Sequence, residues 1–218
     1  MYRHNYLCIA LLAAAALILV RPAVAEPSIA GAVTSTDGKS VADAVVFVLA
    51  PAPTAASHGA SPIVDQIDKT FVPGLLPVVV GTWVHFPNHD QIHHHVYSFS
   101  PAKTFELPLY KGEDAPPVLF DKVGVVKLGC NIHDWMSGII LVLPTPYFTV
   151  TDHDGRFVLR DLPAGTYTVS AWHALSKLKP EEAAQSVQVS AQATQVAFSL
   201  PLSAARPRRA MHGSRVEP

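Results

Sequence analysis

The apolar residues of this 218-residue chain come in short runs rich in valine and isoleucine, and glycine, proline, aspartate or asparagine separates the runs. None of them extends into a long stretch with the 3.6-residue period of a helix. Runs of this length and composition, bounded by turn residues, are typical of β-strands. We therefore predict an all-β fold, with strands at residues 29–33, 44–49, 71–80, 82–86, 96–100, 125–128, 139–143, 149–159, 162–170, 186–190 and 195–200. The length allows one large β-sandwich or two small ones.

Turn residues predict how some of these strands connect. Thr36-Asp37-Gly38 separates the first two runs, and Asp154-Gly155 lies inside the run at 149–159. Asp-Gly between apolar runs is a hairpin signal, so we predict a β-hairpin at each place. Residues 51–62 carry almost no apolar bulk and predict an exposed loop. Residues 101–122 are rich in proline and predict mainly connecting chain with short strand pieces.

The two ends of the chain have a different character. Residues 1–25 combine a basic start, an apolar run and an Ala-x-Ala site, which is the pattern of a secretory signal peptide cleaved near Ala25. A retained membrane anchor is the alternative, but the apolar run is short for a membrane span. Residues 203–218 lack apolar spacing and predict a disordered tail. We expect an exported protein that works in the periplasm, with no stable membrane span after cleavage.

The cysteine count becomes informative once the leader is set aside. The chain has two cysteines, Cys8 within the leader and Cys130, so the exported form would hold a single thiol that cannot form an internal disulfide. A functional thiol is one explanation for a lone cysteine in an exported protein. The formal net charge of −1 gives no basic footprint for nucleic acid, so we expect no nucleic-acid partner.

Three potential metal ligands lie close together after the predicted strand 125–128. Cys130, His133 and Met136 offer a thiol, an imidazole and a thioether within seven residues. One thiolate and two imidazoles in a plane, with a weak axial thioether, form the ligand set of electron-transfer copper. The second imidazole would have to come from the run at 93–95, and the loop 131–136 would join two strands of a rigid sheet.

The identity of the second histidine is open from the residues alone. Strand alternation directs His93 and His95 to one face and His94 to the other. Cys130 also has other interpretations: a small buried apolar residue, or a nucleophile with His133 as its base, although no oxyanion site is evident. Zinc is disfavoured because a thioether is a poor zinc ligand.

The segment from residue 71 to residue 142 resembles the cupredoxins, the small blue-copper proteins. The motifs that carry the resemblance are Phe71-x-Pro73, Asn88-x-Asp90, His94-His95-Val96, Cys130-x-x-His133-x-x-Met136 and Gly138-x-Ile140-x-Val142. The short ligand loop is similar to that of amicyanin-like members. The resemblance implies a Greek-key β-sandwich at residues 63–143 that binds one copper ion through His94, Cys130, His133 and Met136. His95 departs from the pattern, because the family commonly has asparagine there.

The flanking segments resemble a second family. Residues 27–50 and 144–202 look like two halves of a carboxypeptidase-regulatory-like, prealbumin-type β-sandwich, and the combination is similar to periplasmic proteins labelled as methylamine-utilisation proteins. The resemblance implies that a cupredoxin sandwich packs with this second sandwich. It leaves open whether the cupredoxin part is inserted in the second sandwich or fused to its N-terminal half.

The resemblance implies a type 1 copper protein that is not an enzyme and that carries single electrons, cycling between Cu(I) and Cu(II), to or from a periplasmic redox protein. The alternatives are a periplasmic copper carrier without a redox role and a metal-free interaction scaffold. In the cupredoxin arrangement the C-terminal histidine ligand reaches the surface through an apolar rim, so we expect Ile132 and Trp135 to flank the exit point at His133.

Overall fold

The computed structural model describes residues 27–50 and 61–204. These ranges contain strands and no helix, so the all-β prediction is confirmed. They accordingly hold no helix that is long and apolar enough to cross a membrane. The predicted signal peptide, most of the predicted loop at 51–62 and most of the predicted tail lie outside the described residues.

The strands are numbered in chain order. They are β1 (Ile29–Ser35), β2 (Val45–Ala50), β3 (Asp65–Ile67), β4 (Thr70–Val72), β5 (Leu75–Val79), β6 (Thr82–Val84), β7 (His94–Ser100), β8 (Lys103–Tyr110), β9 (Val118–Phe120), β10 (Gly124–Cys130), β11 (Ser137–Leu143), β12 (Phe148–Val150), β13 (Arg156–Leu159), β14 (Gly165–Trp172), β15 (Gln185–Val189) and β16 (Thr194–Leu200).

The middle of the chain builds the sheet that carries the candidate site. Five strands pair in the order β5-β11-β10-β7-β8. Two short pairs, β3-β4 and β6-β9, contribute apolar side chains to a common core with one face of this sheet. Its buried members include Phe71, Phe86, Val96, Phe120, Val126 and Ile140. Burial of apolar side chains between two such layers is the main source of stability in a β-sandwich.

The two ends of the described chain meet in two further sheets. One has the order β13-β1-β16 and the other the order β12-β2-β14-β15, and a single apolar core joins them. Strands β1 and β2 therefore pair with strands that follow β11 in the chain. The chain leaves this pair of sheets after β2, forms the site-bearing sheet, and then returns through β12. The domain boundaries drawn from the sequence remain predictions.

A third cluster of buried side chains connects the two parts. Phe47 and Trp172, from β2 and β14, pack with Leu141 and Leu143 from β11. Ile140 on β11 faces the core of the site-bearing sheet instead. Strand β11 is thus covered on both faces, which explains why it is apolar at nearly every position. The predicted strand at residues 139–143 is confirmed as β11, which lies in its sheet between β5 and β10.

Both predicted hairpins are wrong. Strand β1 has β13 on one side and β16 on the other, so it has no free edge for β2, which joins the opposite sheet. The turn at Gly155 does form, with its N–H donating to the carbonyl of Asp152, but the chain crosses from one sheet to the other there. Each turn motif therefore predicted correctly where the chain reverses. It did not show that the strands on either side of the turn belong to different sheets.

The prediction for residues 101–122 also needs correction. Residues 103–110 form the continuous eight-residue strand β8, although Pro108 lies within it. Strand β8 is at the edge of its sheet, and Pro108 lies where its register against β7 shifts, between Leu107 and Tyr110. A proline without an N–H donor is tolerated at such an irregularity in an edge strand.

Candidate metal centre

Strand pairing brings His94 and Cys130 to the same place. Strand β7 runs antiparallel to β10, and Val96 is the Cα partner of Cys130. Val96 and Cys130 both belong to the core on the inner face of the sheet. His94 lies two residues before Val96, on the same face, and its side chain is fully buried.

The loop between β10 and β11 adds His133. Cys130 is the last residue of β10, and the chain reverses over six residues before β11 begins. The N–H of Met136 donates to the carbonyl of His133 at 2.9 Å, which closes the loop. His133 is thereby held as a buried side chain beside Cys130.

The three side chains form a compact group of potential ligands. The Cys130 Sγ lies 3.7 Å from Nδ1 of His94 and 3.9 Å from Nδ1 of His133. All three ligand atoms lie within 4.8 Å of one another. With bonds of about 2.1 Å to nitrogen and about 2.3 Å to sulfur, as for zinc, one ion at the centre of a trigonal plane separates nitrogen from sulfur by about 3.8 Å. The spacing therefore fits a single transition-metal ion.

Met136, the predicted axial ligand, is buried in the core of the same sheet. Its backbone position at the end of the ligand loop places it beside His133, to whose carbonyl its N–H donates. The axial role of its thioether stays a prediction.

The surroundings of His133 favour the neutral imidazole that a metal requires. Burial lowers the pKa of His133, and the electrostatic effects of His94 and Lys69 lower it further, while Asp90 acts in the opposite sense. A neutral ring keeps a lone pair on nitrogen for a metal at neutral pH.

Asp90 is a site residue whose role was not predicted. Its Oδ2 lies 2.7 Å from Nε2 of His94, the ring nitrogen that does not face Cys130. Partial burial raises the pKa of Asp90, but hydrogen bonds from His94 and from the backbone of Lys69 and Asp68 outweigh that effect and leave it below its ordinary value. Asp90 is therefore a carboxylate that accepts a hydrogen bond from Nε2–H of His94. The four-residue spacing between Asp90 and His94 is visible in the sequence. Spacing alone does not show that the loop before β7 brings the carboxylate of Asp90 to the ring of His94.

The other two candidate histidines lie outside this group. His93 is exposed in the loop before β7. His95 follows His94 with its side chain on the opposite face, where its Nε2 lies 2.7 Å from Glu106 Oε1 on β8. The predicted alternation is thus found for His94 and His95, whereas His93 lies before the strand, and His94 is the one that joins Cys130 and His133.

Two apolar side chains border the surface side of His133. Trp135 packs with its ring centroid 5.0 Å from that of His133, and both Trp135 and Ile132 are exposed. The ligand loop therefore presents an apolar rim next to one of the potential ligands.

Comparisons with known proteins give partial likenesses. The chain matches no model of a protein family and no curated protein. It is similar to the solved structure of a purple cupredoxin from Nitrosopumilus maritimus, at 25% identity and a TM-score of 0.34, over 37% of this chain and 98% of that one. It is also similar to an amicyanin mutant in its oxidised state, at 24% identity and a TM-score of 0.35, over 44% of this chain and 97% of that one.

A further likeness is to the copper-containing nitrite reductase from Thermus scotoductus SA-01, at 27% identity and a TM-score of 0.35, over 43% of this chain. The match spans 23% of the reductase chain, so it concerns a small part of that enzyme. These structural neighbours are cupredoxins, but likenesses this partial do not decide a function. The resemblances of residues 27–50 and 144–202 to a prealbumin-type sandwich and to methylamine-utilisation proteins find no support in the comparisons and remain predictions.

The placement of the three histidines makes a prediction. His94→Ala should abolish tight copper binding, because it removes one of the three potential ligands that converge. His93→Ala should leave binding unchanged, because His93 is exposed outside the group. Copper titration with an optical or calorimetric readout checks both. Loss of binding in His93→Ala with intact binding in His94→Ala would refute the assignment.

Proposed function

We propose that this protein is a periplasmic type 1 copper protein that carries single electrons between redox partners. The observation that supports this most is the buried triangle of one thiol and two imidazoles, with both Nδ1 atoms within 3.9 Å of the Cys130 sulfur. This donor set is the one that blue-copper sites use. We propose His94, Cys130, His133 and Met136 as the ligands of one copper ion.

The donor types favour copper over other metals. Thiolate and thioether suit Cu(I), and imidazole suits copper in both states, so a bound copper would supply a one-electron couple at this position. Zinc would be satisfied by the thiolate and the imidazoles but gains little from a thioether and has no redox chemistry. The buried setting of Cys130 keeps its sulfur away from water, and that favours a stable thiolate–metal bond over oxidation of the thiol.

The protein's own contribution is a fixed site. His94 and Cys130 lie on paired strands, and His133 lies on a short loop between two strands of the same sheet. Ligands held in this way change little between two oxidation states, so little rearrangement accompanies each electron. We therefore propose a carrier and not an enzyme.

We propose that electrons leave at the apolar rim of Ile132 and Trp135. Electron-transfer encounters use small and weak interfaces, for which a compact apolar patch around an imidazole suffices. The formal net charge of −1 gives no sign of strong overall steering. The partner would be a periplasmic redox protein.

A spectrum tests the proposed function. Cu(II) added to the exported form should give an intense visible thiolate-to-copper band. Cys130→Ser should abolish the band, because it removes the one thiol among the residues that the structure describes. Met136→Leu should shift the band but keep it, since the strong thiolate bond remains. A colourless wild-type adduct would contradict the electron-carrier proposal. Rapid loss of copper from a coloured wild type to a competing chelator would favour the copper carrier instead.

The rim makes a separate prediction. Trp135→Ala should slow electron self-exchange between the Cu(I) and Cu(II) forms by about fivefold or more, because truncating a central interface aromatic typically costs more than about 1 kcal/mol. Its visible spectrum should stay nearly unchanged. NMR line broadening in mixtures of the two forms measures this rate.

Trp83→Ala provides the control for this experiment. Trp83 is 50% exposed, close to the 43% of Trp135, but it lies on β6, outside the ligand loop. Equal self-exchange rates in the two variants would move the contact surface away from the loop. A spectrum lost in Trp135→Ala would mean that the ring supports His133 from inside.

A further inference from the structure

The hairpin formed by β3 and β4 makes contacts near the candidate site that the four proposed ligands do not explain. Its two-residue turn is made by Asp68 and Lys69, which both have positive φ angles, of 50° and 55°. This geometry directs two successive backbone N–H groups to the same side, and a pair of this kind forms a small anion-binding concavity. The anion there is the carboxylate of Asp90, which accepts from the N–H of Asp68 at 2.7 Å and from the N–H of Lys69 at 2.8 Å.

The same carboxylate is bonded to His94. Asp90 Oδ2 lies 2.7 Å from Nε2 of that ring, while Nδ1 on the other side lies 3.7 Å from the Cys130 sulfur. When Nε2–H donates a hydrogen bond to Asp90, the neutral ring keeps a lone pair on Nδ1, and that atom faces the sulfur. Asp90 is thus held by two turn amides on one side and holds the imidazole on the other.

Several contacts fix the hairpin to the chain that carries Asp90. The amide Nε2 of Gln66 on β3 donates to the carbonyl of Pro87 at 3.0 Å, and the N–H of Gln66 donates to the same carbonyl at 3.1 Å. Asp65 bonds the ring of His89 at 2.8 Å. Residues 87–90 and the hairpin are therefore joined at several points.

The hairpin also touches the other half of the site. Phe71 on β4 is buried against Gly138, where an added Cβ would lie 3.2 Å from the Cβ of Phe71. Gly138 is the second residue of β11, directly after the ligand loop. The hairpin therefore contacts the strand that follows His133 and Met136 as well as the carboxylate that holds His94.

We infer that Asp90 and the hairpin 65–72 form a positioning unit that fixes His94 as the Nε2–H tautomer, with Nδ1 directed at Cys130, before any metal binds. The inference deepens the proposed function and rests on it in assigning His94 as a ligand. Asp90 is a positioning residue, since it acts on the metal through the imidazole. The turn amides have their own part, because they hold the carboxylate in a single orientation.

The first test uses the metal-free protein. The ¹⁵N chemical shifts of the His94 ring at neutral pH should show the Nε2–H tautomer in the wild type. Asp90→Ala should yield a mixture of tautomers, because it removes the acceptor. Asp114→Ala is the matched control: it also removes one carboxylate, at an exposed residue outside the hairpin 65–72 and outside residues 87–90. This control should match the wild type.

The second readout is copper affinity. Asp90→Ala should weaken binding by about 10- to 100-fold, the range found when the partner of a ligating histidine is removed. Asp114→Ala should stay within about threefold, since an exposed charge has little effect. If Asp90→Ala does not fold, Asp90→Asn replaces it. Its oxygen can take the place of Oδ2 and accept from Lys69 and His94, but its NH2 group then faces the N–H of Asp68. The carboxamide therefore cannot satisfy all three donors, and affinity should also fall.

The outcomes separate this inference from the proposed function. An unchanged His94 tautomer, together with a copper affinity within about threefold of the wild type, in either Asp90 variant would overturn the inference. The contact between Asp90 and His94 would then have no effect on metal binding. A colourless wild-type protein with the Nε2–H tautomer in place would overturn the electron-carrier proposal and leave the positioning role of Asp90 standing.

Discussion

The register between β7 and β10 is the constraint on which the candidate site depends. Because Val96 pairs with Cys130, His94 and Cys130 face the same side of the sheet. A slip of one residue would turn His94 outward and bring a neighbouring histidine to the inner face. The register itself is set by burial, since Val96, Val126 and Leu128 must face the core. The apolar core therefore determines which of three adjacent histidines meets the thiol.

The ligand loop gains its stiffness from the strands on either side. Strand β10 ends at Cys130, and β11 follows the loop as a strand that is covered on both faces. Leu141 and Leu143 pack against the sheet that contains β2 and β14, so the flanking part of the protein stabilises the strand that anchors the loop. The sheet that contains β2 and β14 therefore supports the candidate site, although none of the three potential ligands lies in it.

Much of the fold and the core of the site could be predicted from the sequence. Turn residues and apolar alternation are local signals, so the all-β class, the strand β11 and the position of Cys130 and His133 between two strands follow from them. The pairing of β1 with β13 and β16 could not be predicted, because alternation shows which face of a strand is buried and not which strand lies beside it. The role of Asp90 could not be predicted for a similar reason, because its contacts with Asp68, Lys69 and His94 depend on how two loops fold together.

The central proposal is that the protein holds its three potential ligands, His94, Cys130 and His133, in place before a metal binds. The direct measurement is a pair of crystal structures of the exported form, one metal-free and one loaded with copper. We predict that the Sγ of Cys130 and the Nδ1 atoms of His94 and His133 shift by less than about 0.5 Å between them, the tolerance expected of a preorganised site. Rotation of His94 or His133 away from Cys130 in the metal-free form, or copper bound elsewhere in the loaded form, would contradict the account.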